Sequence, residues 1–116
     1  MTEKTVQEDL LIGEEYTEII LAHKQLLFFM ASARVRGTNL VRLLYGERLD
    51  GEMRVKLTRT FRRSLNGMKK RGEISFFLAG EELLSESTTA SYLLEKCPWL
   101  ADEAKEGNSA AFYIYL

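Results

Sequence analysis

Apolar positions along the chain change period several times, and each change marks an element. Val6, Leu10, Leu11 and Ile12 predict a short first strand ending at Gly13. From Glu14 to Arg36, Tyr16, Ile19, Ile20, His23, Leu26, Leu27 and Met30 recur at spacings of three and four, the stripe of a long helix. Its acids Glu14, Glu15 and Glu18 lie at the positive end of the helix dipole and Arg34 and Arg36 at the negative end, with Gly37 placed to stop it. Leu40 to Tyr45 is a compact apolar run broken only by Arg42, which predicts a buried, central strand. A polar loop from Gly46 to Gly51 leads into a second helix, Glu52 to Arg71, with Met53, Leu57, Phe61, Leu65 and Met68 on one stripe.

Ile74 to Leu78 predicts a third strand closed by Gly80. Ser87 is placed to cap a third helix running to about Lys96, with Ala90, Leu93, Leu94 and Cys97 inward and Pro98 ending it. Ala111 to Leu116 alternates Phe112, Ile114 and Leu116 with Tyr113 and Tyr115, the pattern of a half-buried edge strand whose direction the pattern leaves open. The order β-α-β-α-β-α-β predicts a single α/β domain over residues 1–116: a small two-layer or three-layer sandwich on a four-stranded mixed sheet. Helices of this length act as crossovers, so the first three strands are expected to run parallel.

Composition adds little to the fold and more to the function. The single cysteine, Cys97, forms no disulfide within the chain and suits a reducing, cytoplasmic setting; on the inward stripe it reads as core filler. The acidic, polar stretch from Met1 to Leu10 is unlike a signal peptide, and the longest apolar runs are too short for a membrane span. The net charge of −1 conceals an asymmetry: twelve Lys or Arg residues against three acids between Arg34 and Arg71, with acidic excess on both sides. Such a segment is either a solvated helix face or a patch facing a polyanion.

Candidate chemistry is sparse. His23 is the one histidine and lies on the apolar stripe, as a core or rim residue does, so no second histidine is at hand for a relay or a metal. The loop Gly46-Glu47-Arg48-Leu49-Asp50-Gly51 enters a helix N-terminus, a geometry that can hold an anion, but it lacks both the phosphate-loop and dinucleotide spacings. Glu47, Asp50 and Glu52 offer oxygen ligands, although acids are expected at a helix start in any case. A metal-assisted activity would need Asp9, Glu47 and Asp50 to converge. No catalytic residue, metal or cofactor is expected.

With these elements in place, the chain resembles the Smr (small MutS-related) domain, in particular its short stand-alone bacterial versions. Asp9-Leu10 matches the start of that family's opening Asp-Leu-His-Gly motif, and Leu40 to Tyr45 with Gly46 matches its buried strand and glycine. Gly51 matches a loop glycine, and the helix from Met53 to Arg71 matches its second helix. Gly72-Glu73-Ile74, Ala79-Gly80-Glu81-Glu82, Cys97-Pro98 and Phe112 to Leu116 also fit. The resemblance implies nucleic-acid binding and, in some members, cleavage. Leu11 and Tyr45 stand where the two family histidines would be, so the resemblance does not extend to cleavage.

The expected function is therefore RNA or DNA binding through Tyr45, Gly46, Arg48, Arg54, Arg59, Arg62 and Arg63, with Tyr45 able to stack a base. The alternative is a protein-interaction or homodimerisation module: Leu21 and Phe28 lie seven apart and off the main stripe of the first helix, so if exposed they form a sticky patch.

Overall fold

A computed structural model describes residues 6–13, 18–106 and 110–116. The described elements are β1 (Gln7–Ile12), α1 (Ile19–Val35), β2 (Leu40–Tyr45), α2 (Gly51–Lys70), β3 (Phe76–Ala79), a 3-10 turn (Gly80–Glu82), α3 (Thr88–Lys96), α4 (Leu100–Lys105) and β4 (Phe112–Tyr115). They form an α/β fold on a four-stranded mixed sheet, as expected. The first turn expected for the long helix, residues 14–17 with Tyr16, lies outside the described residues.

The sheet order is β1-β2-β4-β3, with β1 and β2 parallel and β4 antiparallel to both β2 and β3. β2 is internal, as its apolar run predicts. The first three strands do point the same way, but β3 is not adjacent to the other two. The expectation of an edge position for the last strand is overturned: β4 sits between β2 and β3 and pairs with both. Its alternation arises because the two faces of the sheet meet two different cores. Phe112 and Ile114 face one, Tyr113 the other, and all three are fully buried.

These two cores make the sandwich three-layered. Leu10, Ile12, Val41 and Leu43 project toward Leu26 and Met30 of α1 and Leu57, Phe61 and Leu65 of α2. Leu40, Leu78 and Tyr113 project toward Ala90 and Leu93 of α3 and Leu100 of α4. Each valine, leucine, isoleucine, methionine or phenylalanine among them taken fully from water contributes about 1.5–3 kcal/mol, enough in sum to specify both faces. Cys97 belongs to the second core, and burial pushes its thiol pKa up, in keeping with a filler role.

Local signals hold at most boundaries. Asp50 caps α2 by accepting the Met53 backbone N–H at 2.7 Å, and Ser87 caps α3 by accepting that of Ala90 at 3.1 Å. Gly37 follows α1 at φ +76°, the left-handed conformation that ends helices on glycine. Gly13, at φ +83°, has a second constraint: a Cβ there would collide with the buried Leu49 side chain. Gly13 at the end of β1 thus packs closely against Leu49 of the loop after β2.

Candidate nucleic-acid interface

α2 carries seven Lys or Arg residues against one acid, Glu52, and the fold sorts them by helical position. Leu57, Phe61, Leu65 and Met68 face the sheet, which leaves three outer stripes. Arg54, Thr58 and Arg62, at spacings of four, face the end of the sheet where β2 and β3 stop and β4 begins. There they line a cavity of about 360 Å³ with Tyr45, Gly80 and Ala111. Ligands of open α/β sheets commonly bind outside the carboxyl ends of parallel strands, as this cavity lies. Thr60, Ser64, Gly67 and Arg71, at four, three and four, face α1 and form a second groove with His23 and Leu27. Between the two runs a solvent-exposed ridge holding Lys56, Arg59, Arg63 and Lys70.

The expected site residues therefore separate. Tyr45, Arg54 and Arg62 meet in the cavity; Arg59 and Arg63 stand on the ridge; Arg48 is exposed on the loop. Gly46 is buried at the loop start, where its carbonyl accepts from Arg54 Nη2 at 3.1 Å. Arg54 Nε also donates to the Leu49 carbonyl at 3.1 Å, so this guanidinium braces the loop and lines the cavity at once. Arg62 lies 3.5 Å from Glu82 and 5.7 Å above the Phe112 ring, so the cavity holds a partly compensated cation. Tyr45 is half-buried, with one ring face toward Phe61 at 6.4 Å between centroids and its hydroxyl 2.7 Å from that of Thr58. Burial pushes the Tyr45 phenol above its ordinary pKa, with the Thr58 hydrogen bond and the Arg54 charge working the other way. At most one face of this ring is open to a base.

The loop is not an anion cradle of the backbone type. The Asp50 carboxylate occupies the α2 N-terminus, where an incoming phosphate would have to sit. Nor do Asp9, Glu47 and Asp50 converge. Asp9 is held by Arg42 in a two-pronged pair at 2.6 and 2.7 Å, opposite it in the β1–β2 register. Arg42 also pairs with Glu103 of α4, whose other oxygen accepts the Tyr113 hydroxyl at 3.0 Å. These partners hold the Arg42 guanidinium more firmly protonated than usual, the Asp9 hydrogen bond first among them. Among the described residues no three His, Cys, Asp or Glu side chains are grouped as metal ligands.

The fold also reduces the charge asymmetry of the sequence. Of the twelve bases between Arg34 and Arg71, Arg36, Arg42, Lys56, Arg62 and Arg71 are paired with acids, and all but Lys56 pair with acids outside that segment. Arg48, Arg59, Arg63, Lys69 and Lys70 form no ion pair among the described residues. Sequence reasoning missed the second groove, where His23 Nε2 lies 2.9 Å from Ser64 Oγ on the rim of the core. The helical spacing of Thr60, Ser64, Gly67 and Arg71 was the available signal. It passes unnoticed because hydroxyls and glycine carry little weight in a hydrophobic pattern.

Among the described residues no helix is long and apolar enough to cross a membrane. Comparisons with protein-family models, with curated proteins and with solved structures return no match for this chain.

Proposed function

We propose that the chain binds nucleic acid through the phosphate backbone, using the α2 ridge and the adjoining cavity, and does not cleave it. One observation carries this reading: the outward cations Arg59, Arg63, Lys69 and Lys70 have no carboxylate partner among the described residues, although the molecule is acidic overall. Uncompensated cations on a rigid helix neutralise phosphates and release condensed counterions, which drives association whatever the base sequence. Arg54, Arg62 and the open side of Tyr45 offer a concave end to the ridge for a phosphate or an unstacked base. The likeness to Smr domains points to the same class of ligand. Leu11 and Tyr45 stand where the family's histidines would be and Asp9 is paired with Arg42, which argues against a general base for cleavage.

The test is a titration of labelled duplex DNA and structured RNA by fluorescence anisotropy across a salt series. Four phosphate contacts give a log–log slope of about −3.6 on duplex DNA. Arg62 is partly neutralised by Glu82, so the informative pair is Arg59→Gln with Arg63→Gln, which should flatten the slope by about 1.8. An unchanged slope, or weak binding even at low salt, makes the ridge a solvated face. Cleavage of either ligand in Mg²⁺ or Mn²⁺ that is lost in Asp9→Asn would overturn the non-cleaving part alone.

A further inference from the structure

The ridge of α2 is open, but the cavity beside it is walled by α2, the end of β2, the β3 exit and the approach to β4. Glu81 apart, the last two segments line it with glycine and alanine alone, and that is where its room comes from. At about 360 Å³ it has the size of a small-molecule pocket and is far too small for a duplex. An internal phosphate brings a backbone that must lead both in and out. A walled cavity suits a phosphate at which the chain ends.

We infer that this cavity takes a nucleoside phosphomonoester, as a free mononucleotide or as the phosphorylated end of a strand; the inference rests on the phosphate-binding reading of the same site. Arg54 and Arg62 stand two turns apart, about 12 Å along α2, with Thr58 between them. Arg54 gives Nε and Nη2 to loop carbonyls, which fixes its guanidinium, and its Nη1 donates to nothing among the described residues. Arg62 meets Glu82 at 3.5 Å, a long pair that a phosphate can replace. A monoester carries about −1.5 to −2 charge at neutral pH, more than a diester, so a pair of guanidiniums favours the monoester. The Tyr45 ring, its hydroxyl fixed on that of Thr58, lines the same cavity for the base. Glu81 adds an exposed carboxylate to the lining. It accepts from a sugar hydroxyl or an exocyclic amine, and it repels any further phosphate. A monophosphate is therefore preferred to a triphosphate, against the order that net charge alone would give.

Calorimetry on the full chain with AMP, ATP and inorganic phosphate tests this, together with anisotropy of a labelled single strand ending in a 5′-phosphate, a 3′-phosphate or hydroxyls only. AMP should bind at least as tightly as ATP, and inorganic phosphate more weakly by about tenfold or more, the order of one charge-assisted hydrogen bond. A phosphorylated strand that binds about tenfold tighter than the hydroxyl strand identifies a strand end as the source; AMP binding without that advantage identifies the free nucleotide. Arg62→Gln, and Ala111→Met, which fills the cavity without changing charge, should each weaken AMP by about tenfold with an intact thermal melt. Glu82→Gln, which releases Arg62, should tighten AMP a few-fold and carries the test should the filled cavity fail to fold. Tighter binding of ATP than of AMP, or no AMP binding with equal affinity for all three strands, would overturn the inference. Hydroxyl-ended duplex reads the ridge separately. A flat duplex salt slope with AMP bound sinks the ridge reading alone; a steep slope with AMP unbound and the strands alike sinks this inference alone.

Discussion

α1 and α2 lie side by side on one face of the sheet, and each commits four fully packed side chains to the same core. Their outer faces have opposite chemistry. α2 shows water a ridge of arginine and lysine; α1 shows it Ile20, Leu21, Phe28 and Val35. The inner stripe of each helix answers to the sheet, and its three-to-four spacing is what selects the fold. Among the described residues the exposed positions of the outer faces are not fixed by packing within the chain, so their chemistry is free of that constraint. A cationic face stays hydrated until a polyanion displaces its counterions, whereas an apolar face at α1 is unfavourable in water at every moment it is uncovered.

The largest expected effect separates inner from outer positions. Phe61→Ala removes a fully buried ring and should cost about 3–5 kcal/mol by urea unfolding. Phe28→Ala removes a ring of the same size and, in dilute protein, should change stability by less than about 0.5 kcal/mol. Comparable losses at the two positions would mean that α1 is covered within a single chain, and the contrast between the helices would collapse.

A smaller effect concerns how the two helices begin. α2 starts on the Asp50 side-chain cap, while Glu18 at the start of α1 makes no side-chain cap bond. Asp50→Ala should therefore cost about 1 kcal/mol, with Asp50→Asn restoring most of it. Glu18→Ala should lose only the few tenths that a carboxylate near a helix N-terminus contributes. An equal penalty at both sites, measured by thermal unfolding at matched concentration, would show that capping does not distinguish them.

What could be read before the structure follows the same inner-outer division. Leu40 to Tyr45 and the stripe of α2 were legible because burial imposes a period on them. The place of β4 was not. Tyr113 looks polar, yet its hydroxyl accepts the Ala110 N–H at 3.1 Å and donates to Glu103, so a residue that reads as solvent-facing is fully buried. α4 escaped because six residues with one buried anchor, Leu100, show no period. At the candidate site the arginines were visible, but their division between ridge and cavity depends on Ala79, Gly80, Ala110 and Ala111, small residues from distant segments that leave no pattern. The excess of bases was visible too; which of them the fold pairs off, as with Arg36 on Glu8, was not.

The smallest expected effect lies at the two helix exits, where each helix is tied by a carboxylate. Glu8 of β1 accepts from the Thr38 hydroxyl and from Arg36, just past α1; Glu73 accepts from Arg71, just past α2. Both carboxyls are held below their ordinary range, Glu8 first by the Thr38 hydroxyl and Glu73 first by the Arg71 hydrogen bond. A carboxyl with a lowered folded-state pKa binds fewer protons folded than unfolded, so its contribution is complete above the unfolded value near 4.5 and disappears as pH falls through the folded one. For Glu8 that contribution is of the order of an exposed pair, about 0.2–1 kcal/mol. Thr38 is buried while Arg71 is open to solvent, so the α1 tie should depend on a specific donor and the α2 tie on screened charge. Thr38→Val should raise the Glu8 midpoint followed by carboxyl-carbon NMR, and high salt should raise it only by the part that the Arg36 pair contributes. High salt should raise the Glu73 midpoint, which Thr38→Val leaves in place. If salt shifts both midpoints alike, the two exits are held by the same long-range charge, and the local hydroxyl at Thr38 is not what distinguishes α1.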